Sequence, residues 1–152
     1  LGDSVDLVLD GGTCAIGIES TIVECTSSRL QILRPGKVSA LDIAAITGLS
    51  ISVMDGPSRA PGMLIAHYAP NARVELCTSI GEAETQRLSY VIKGVTVEVL
   101  HYEDVATYAL CLYDDLRSAD LRGSAVVLAV LPPNTGLGIA IRDRLSKAAA
   151  SN

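Results

Sequence analysis

Phenylalanine and tryptophan are both absent from this chain, so a core has to be assembled from Ile, Leu, Val and Ala with five tyrosines. That palette suits parallel strands covered by helices. Histidine occurs only twice, and Cys14, Cys25, Cys77 and Cys111 show no Cys-x-x-Cys spacing, which argues against a zinc site. No uninterrupted apolar run approaches the roughly 20 residues needed to cross a bilayer. Clusters of Lys and Arg are scarce as well, and the net charge is −5. This argues against a large nonspecific nucleic-acid surface, because such binding depends on clustered cations. With no leader-like segment, the reading places the chain in the cytoplasm, away from membranes, with its cysteines reduced and buried as small apolar side chains.

What is present divides into two patterns. At 152 residues and 49% hydrophobic composition, the chain can form one ordinary domain or two small ones. In the first part, Val5–Asp10 reads as a strand stopped by Gly11-Gly12, Ser20–Cys25 as a second and Leu30–Leu33 as a third. Strand, turn and strand imply antiparallel neighbours. Ser39 caps a helix running through Thr47, with Asp42 at its third position and Gly48 as its stop, and this helix is expected to cover the sheet.

Beyond residue 72 the period changes. Val74–Cys77, Val95–His101 and Ala125–Leu131 read as strands, alternating with helices over Gly81–Lys93, Val105–Arg122 and Gly136–Ala150. Strands and helices of these lengths imply right-handed βαβ crossovers and a parallel sheet. Ala125–Leu131 is apolar without alternation, as a central strand buried on both faces requires. The fold class is thus α/β, with a Rossmann-like βαβαβα domain at residues 72–152. Its loop Pro132–Gly138 contains Gly-x-Gly ahead of a helix, which serves either as a structural turn or as an anion cradle. Neither a full G-x-G-x-x-G nor a P-loop lysine follows, so the turn is favoured.

Between the halves, residues 51–71 form an interdomain linker. Pro57, Pro61 and Pro70 make it stiff, and Met63, Leu64 and Ile65 make it apolar. Such a segment is expected to lie on a surface, presenting His67 and Tyr68 to it. The segment is also locally cationic. Residues 57–73 hold Arg59 and Arg73 and no acid, whereas residues 1–56 hold seven acids against three bases, which is compatible with nearby phosphate.

Three motifs in order carry a resemblance. Gly17-Ile18-Glu19-Ser20-Thr21-Ile22-Val23-Glu24, then Ile32-Leu33-Arg34-Pro35-Gly36, then Pro61-Gly62-Met63-x-x-x-His67-Tyr68-Ala69-Pro70 resemble the Sua5 branch of the YrdC/Sua5 family, the threonylcarbamoyl-AMP synthases. Gly136–Leu145 resembles the last helix of the same family's Sua5 domain. The family is longer at its N-terminus. Residues 1–50 are therefore expected to be the end of a YrdC-like twisted mixed sheet, 51–71 the linker or lid, and 72–152 the Sua5 domain. The chain is accordingly expected to be a fragment without a complete active site, the family's basic and Ser-x-Asn motifs lying outside it.

The resemblance implies an ATP-dependent nucleotidyl transfer. L-threonine and bicarbonate form an N-carboxylated amino acid whose carboxylate attacks the α-phosphorus of ATP, giving threonylcarbamoyl-AMP and pyrophosphate for the t6A modification of tRNA. ATP enters as substrate, with Mg²⁺ to offset the gathered anions. By the same match, Ser20 binds threonine, while Arg34, His67 and Tyr68 contact ATP. No catalytic residue and no protein metal ligand is assigned. Downstream tRNA-modification proteins are the implied partners, and any link to tRNA is indirect. From the residues alone, Arg34 could instead pair with Glu19 or Glu24, and Ser20 could be an ordinary strand hydroxyl. Two other classes stay open: a Rossmann-like ligand-binding regulatory module, and a docking module without chemistry.

Overall fold

A computed structural model of the chain describes residues 4–26, 30–53 and 69–150. Its elements are β1 (Ile22–Glu24), β2 (Leu30–Arg34), α1 (Ala40–Thr47), β3 (Ile51–Val53), β4 (Arg73–Cys77), α2 (Ile80–Ile92), β5 (Val97–Leu100), α3 (Val105–Leu121), β6 (Val126–Val130) and α4 (Leu137–Ala149). They form two three-stranded sheets, ordered β1-β2-β3 and β4-β6-β5.

The second sheet is wholly parallel, with β6 in the middle and all five of its residues buried. Alternate residues of β6 feed two cores, as the pleat dictates. Val127 and Ala129 join Leu112, Leu116, Ile141 and Leu145 from α3 and α4. Val126, Leu128 and Val130 pack with Cys77 and Ala83 on the side of α2. The result is a three-layer α/β sandwich of the Rossmann-like kind. Tyr108 is fully buried without stranding its hydroxyl, which lies 3.0 Å from the Val130 carbonyl and 3.3 Å from that of Leu100. Asp120 fixes the start of β4 by accepting from the Asn71 and Ala72 backbone N–H groups at 2.9 Å each.

The first sheet is mixed. β1 and β2 are antiparallel, as the strand-turn-strand pattern implies, while β2 and β3 are parallel. Residues 51–53, read from sequence as the start of the linker, belong to this sheet instead. The helix signals between them hold: Ser39 and Asp42 make a reciprocal capping box, and Gly48 ends α1 at φ 68°.

Two expectations fail in this part. Val5–Asp10 is not a strand, and Leu7, Val8 and Leu9 are 73%, 75% and 86% exposed. Alternating apolar residues make a strand only where a neighbour completes the ladder, and no described strand pairs with this segment. Nor does α1 cover the sheet, since none of its residues is buried and Leu41 and Ile46 stand 81% and 85% exposed. The cysteines divide as well: Cys77 is buried and Cys111 half-buried, but Cys14 and Cys25 are exposed, contrary to the expectation that all four are buried. Among the described residues, no helix is long and apolar enough to cross a membrane.

Candidate functional site

Sequence distance and spatial distance part company at Ser20 and Arg34. The β1–β2 register shifts between Ile22, opposite Arg34, and Val23, opposite Ile32, so Leu33 is the additional residue of a bulge. A bulge re-aims the strand end beyond it, and Arg34 reaches back to Ser20. Its Nε donates to the Ser20 carbonyl at 3.0 Å and its Nη2 to the Ser20 hydroxyl oxygen at 3.3 Å. The turn after Arg34 packs hard onto the same stretch of chain. A Cβ on Gly36 would stand 2.5 Å from the Thr21 nitrogen and 2.8 Å from the Glu19 carbonyl oxygen, so only glycine fits there. Thr21 closes the other side, its hydroxyl donating to the Val38 carbonyl at 2.8 Å.

Ser20 lines an open cleft of about 640 Å³ between the first sheet and α1. Ile18, Val23, Leu30, Val38 and Ile43 supply apolar walls, while Glu19, Ser20, Thr21 and Lys37 supply its polar groups. With its oxygen accepting from Arg34, the Ser20 hydroxyl keeps its proton to donate to a ligand. Lys37 adds a cation on the same wall. An apolar cleft carrying the Ser20 hydroxyl donor and the Lys37 ammonium, with the Glu19 carboxylate nearby, suits a small molecule that combines polar groups with an aliphatic part.

Glu19 is not the partner of Arg34. Its Oε2 accepts from Arg144 Nε at 2.8 Å and from the Tyr113 hydroxyl at 2.9 Å. Arg144 comes from α4 and its side chain is only 4% exposed. It also donates to the Pro35 carbonyl at 3.1 Å and pairs with Asp143, which holds Lys147 at 2.7 Å. Burial pushes the Glu19 carboxyl up, but bonds from Arg144, from its own backbone and from Tyr113 outweigh this and hold it below the ordinary range. Burial likewise works against the Arg144 charge, and Glu19, together with Tyr113 and Asp143, more than offsets it. Tyr113 is raised by its burial and by the neighbouring Glu19 charge. This network joins the two sheets' units.

The motif residues thus meet different fates. Ser20 and Arg34 come together. His67 and Tyr68 lie outside the described residues. Lys37, Tyr113 and Arg144 went unread, yet Arg144 left a signal: it falls on the helical face of Ile141, Leu145 and Ala148, where a cation needs a partner. Gly138 has a packing reason of its own, since a Cβ there would stand 2.0 Å from the Pro133 carbonyl oxygen. Among the described residues, no three His, Cys, Asp or Glu side chains converge as metal ligands.

Comparison with known proteins places this geometry. Residues 38–150 match the family described as threonylcarbamoyl-AMP synthase, C-terminal domain, and residues 1–36 match one described as telomere recombination. The threonylcarbamoyl-AMP synthase of Bacillus subtilis is 33% identical over 93% of this chain and 48% of its own length. That of Pyrococcus abyssi is 30% identical over 95% of this chain and 49% of its own. The crystal structure of P. abyssi Sua5 complexed with L-threonine has a TM-score of 0.77 at 30% identity, covering 93% of this chain and 48% of that one. A P. abyssi Sua5 variant with alanines at an adjacent His–Tyr pair has a TM-score of 0.75 at 28% identity over the same shares. The chain spans about half the length of the curated relatives it matches. With a match that runs from α1 through α4, the chain belongs to the threonylcarbamoyl-AMP synthase C-terminal domain family.

Proposed function

We propose that this chain supplies one wall of a threonylcarbamoyl-AMP synthase site, which converts ATP, L-threonine and bicarbonate to threonylcarbamoyl-AMP and pyrophosphate for t6A formation in tRNA. The observation that carries the reading is the bonding of Arg34 to Ser20, whose hydroxyl lines a largely apolar cleft with room for more than an amino acid. Ser20 donates to threonine, Lys37 balances its carboxylate, and the apolar wall takes its methyl group. Arg34, beside Ser20, meets phosphate or ribose oxygens of ATP as a charge-assisted donor. His67 and Tyr68 complete the nucleotide side; their motif match supports this, and the alanine-substituted His–Tyr pair of the P. abyssi variant is consistent with it. The product is consumed by tRNA-modification proteins, the partners this reading requires.

Threonine titration of the ¹⁵N-labelled chain tests the reading. Resonances of Ser20, Thr21 and Lys37 should move while those of β4–β6 stay in place. Shifts confined to the loops of the second sheet would instead favour a regulatory ligand module. The 152-residue chain by itself should show no threonine-dependent pyrophosphate release, because it spans only about half the length of the synthases it matches. Turnover by the chain alone would refute the single-wall assignment. In a protein completed to the family's length, Arg34→Ala should cost ATP use about 1.5–3 kcal/mol. Arg34→Lys should recover only part of it, since a point charge does not reproduce a planar fork.

A further inference from the structure

Arg144 touches no atom of Ser20 or Arg34 in the bonds described, yet it holds the residue on the near side of each. Glu19 precedes Ser20, and Pro35 follows Arg34; one guanidinium bonds to both, at 2.8 Å and 3.1 Å. Three further contacts fix the same segment. A Cβ on Gly17, whose φ is 73°, would stand 2.3 Å from the Leu110 Cα, so residue 17 lies directly on the α3 backbone. Ile18 packs against the larger core of the second sheet. Gly36 abuts the Glu19–Thr21 backbone. The stretch that carries Ser20 is therefore an outlying part of the C-terminal core as much as the lead-in to β1.

From this arrangement we propose that Arg144 is a positioning residue for the substrate pair, through which the C-terminal domain sets the distance between Ser20 and Arg34. The inference rests on the reading that Ser20 and Arg34 face the substrates. It assigns the C-terminal domain a part in the site: α4 holds the 19–20 and 34–35 segments together, and the first of these segments lines the cleft. A guanidinium is suited to this because it is planar and donates in several fixed directions at once, here to a carboxylate, a carbonyl and Asp143. A lysine would keep the charge beside Glu19 and lose the simultaneous reach to Pro35.

The test reads Arg34 itself. In the ¹⁵N-labelled 152-residue chain, the Arg34 Nε–H proton, bonded to the Ser20 carbonyl, reports the pair through its exchange rate with water. In Arg144→Lys that rate should rise roughly tenfold, the effect of losing a charge-assisted bond. The amides of Val127, Leu128 and Ala129 should keep wild-type protection. Arg144→Met, which also leaves Glu19 without its cation, should raise the Arg34 rate further. If Arg144→Met does not fold, Arg144→Lys decides alone. An unchanged Arg34 rate in folded Arg144→Lys overturns the proposal. So does a rise shared equally by the β6 amides, which would make Arg144 a general stabiliser. None of these readouts uses substrate, so a chain that shows the Arg34 effect but ignores threonine would sink the functional reading and leave the positioning role standing. Where threonine does bind, its Kd should rise in Arg144→Lys by a similar roughly tenfold factor.

Discussion

The two sheets bury their residues very differently. In β4-β6-β5 the central strand is buried throughout, and helices cover both faces. In β1-β2-β3 the buried apolar residues, among those described, are Leu30 and Ile32, while α1 buries nothing and leaves Leu41 and Ile46 to solvent. Both regions have well-formed local structure, including capped helices. The difference teaches that local signals and core completion are separate matters here: one region closes on itself, and the other holds its shape through its junction with the first. Apolar surface of this kind on the described first region is a face suited to being covered.

The largest test of that contrast is truncation. Leu112 is fully buried between α3 and the second sheet, so Leu112→Ala should cost about 2–5 kcal/mol through lost transfer energy and the cavity left behind. Ile46→Ala, at a position 85% exposed, should change stability by no more than about 0.5 kcal/mol. Urea unfolding of the two variants measures both. Similar losses from each would break the comparison and show that α1 is packed into the cooperative core.

The same contrast explains what could be read from the sequence. Ala125–Leu131 announced β6 because an apolar run without alternation has few places to go except the middle of a covered sheet. The Ser39, Asp42 and Gly48 signals located α1 because capping is settled within a few residues. Val5–Asp10 carried an equally good local pattern and is not a strand, since pairing depends on a neighbour. Ile51–Val53 was hidden by the prolines that follow it, and its parallel partner β2 lies some 20 residues earlier. In the site, Ser20 and Arg34 were legible as motif residues, but their contact required the bulge at Leu33. The engagement of Glu19 by Arg144 spans 125 positions. Only the misplaced charge on the apolar face of α4 hinted that a partner existed.

A middle-sized effect is expected at the junction itself, where acid sharpens the comparison. Although burial raises it, the Glu19 carboxyl is held below the ordinary carboxylate range chiefly by Arg144. A group whose folded-state pKa is lowered adds stability above its unfolded value, near 4.3 for glutamate, and loses it as pH falls through the folded value. Between about pH 5 and the acid limit, wild type should therefore lose stability that Glu19→Gln does not. At pH 7 Glu19→Gln should already be weaker by roughly 1–3 kcal/mol, because buried Arg144 loses one of its two carboxylate partners and keeps only Asp143. Unfolding midpoints at pH 7 and at pH 3.5 for the two proteins give the answer. A Glu19→Gln profile parallel to wild type at every pH would show that other carboxylates govern the acid transition.

The smallest effect tests whether the two regions unfold together. Ser39 and Ser79 do the same chemistry at two helix starts: the Ser39 hydroxyl accepts from the Asp42 N–H at 3.1 Å, and that of Ser79 from the Glu82 N–H at 3.2 Å. Replacing either by alanine removes a cap worth about 1 kcal/mol. The consequences should differ because the helices are coupled differently to a core. α2 brings the fully buried Ala83 into the second sheet's packing, so Ser79→Ala should lower the main urea transition by about that cap energy. α1 buries nothing, so Ser39→Ala should speed amide exchange at Ile43, Ala44 and Ala45 while the main transition stays where it was. Equal shifts of the main transition would mean that α1 opens only when the whole chain does, and that the exposed apolar residues on its surface understate its share in a single cooperative unit.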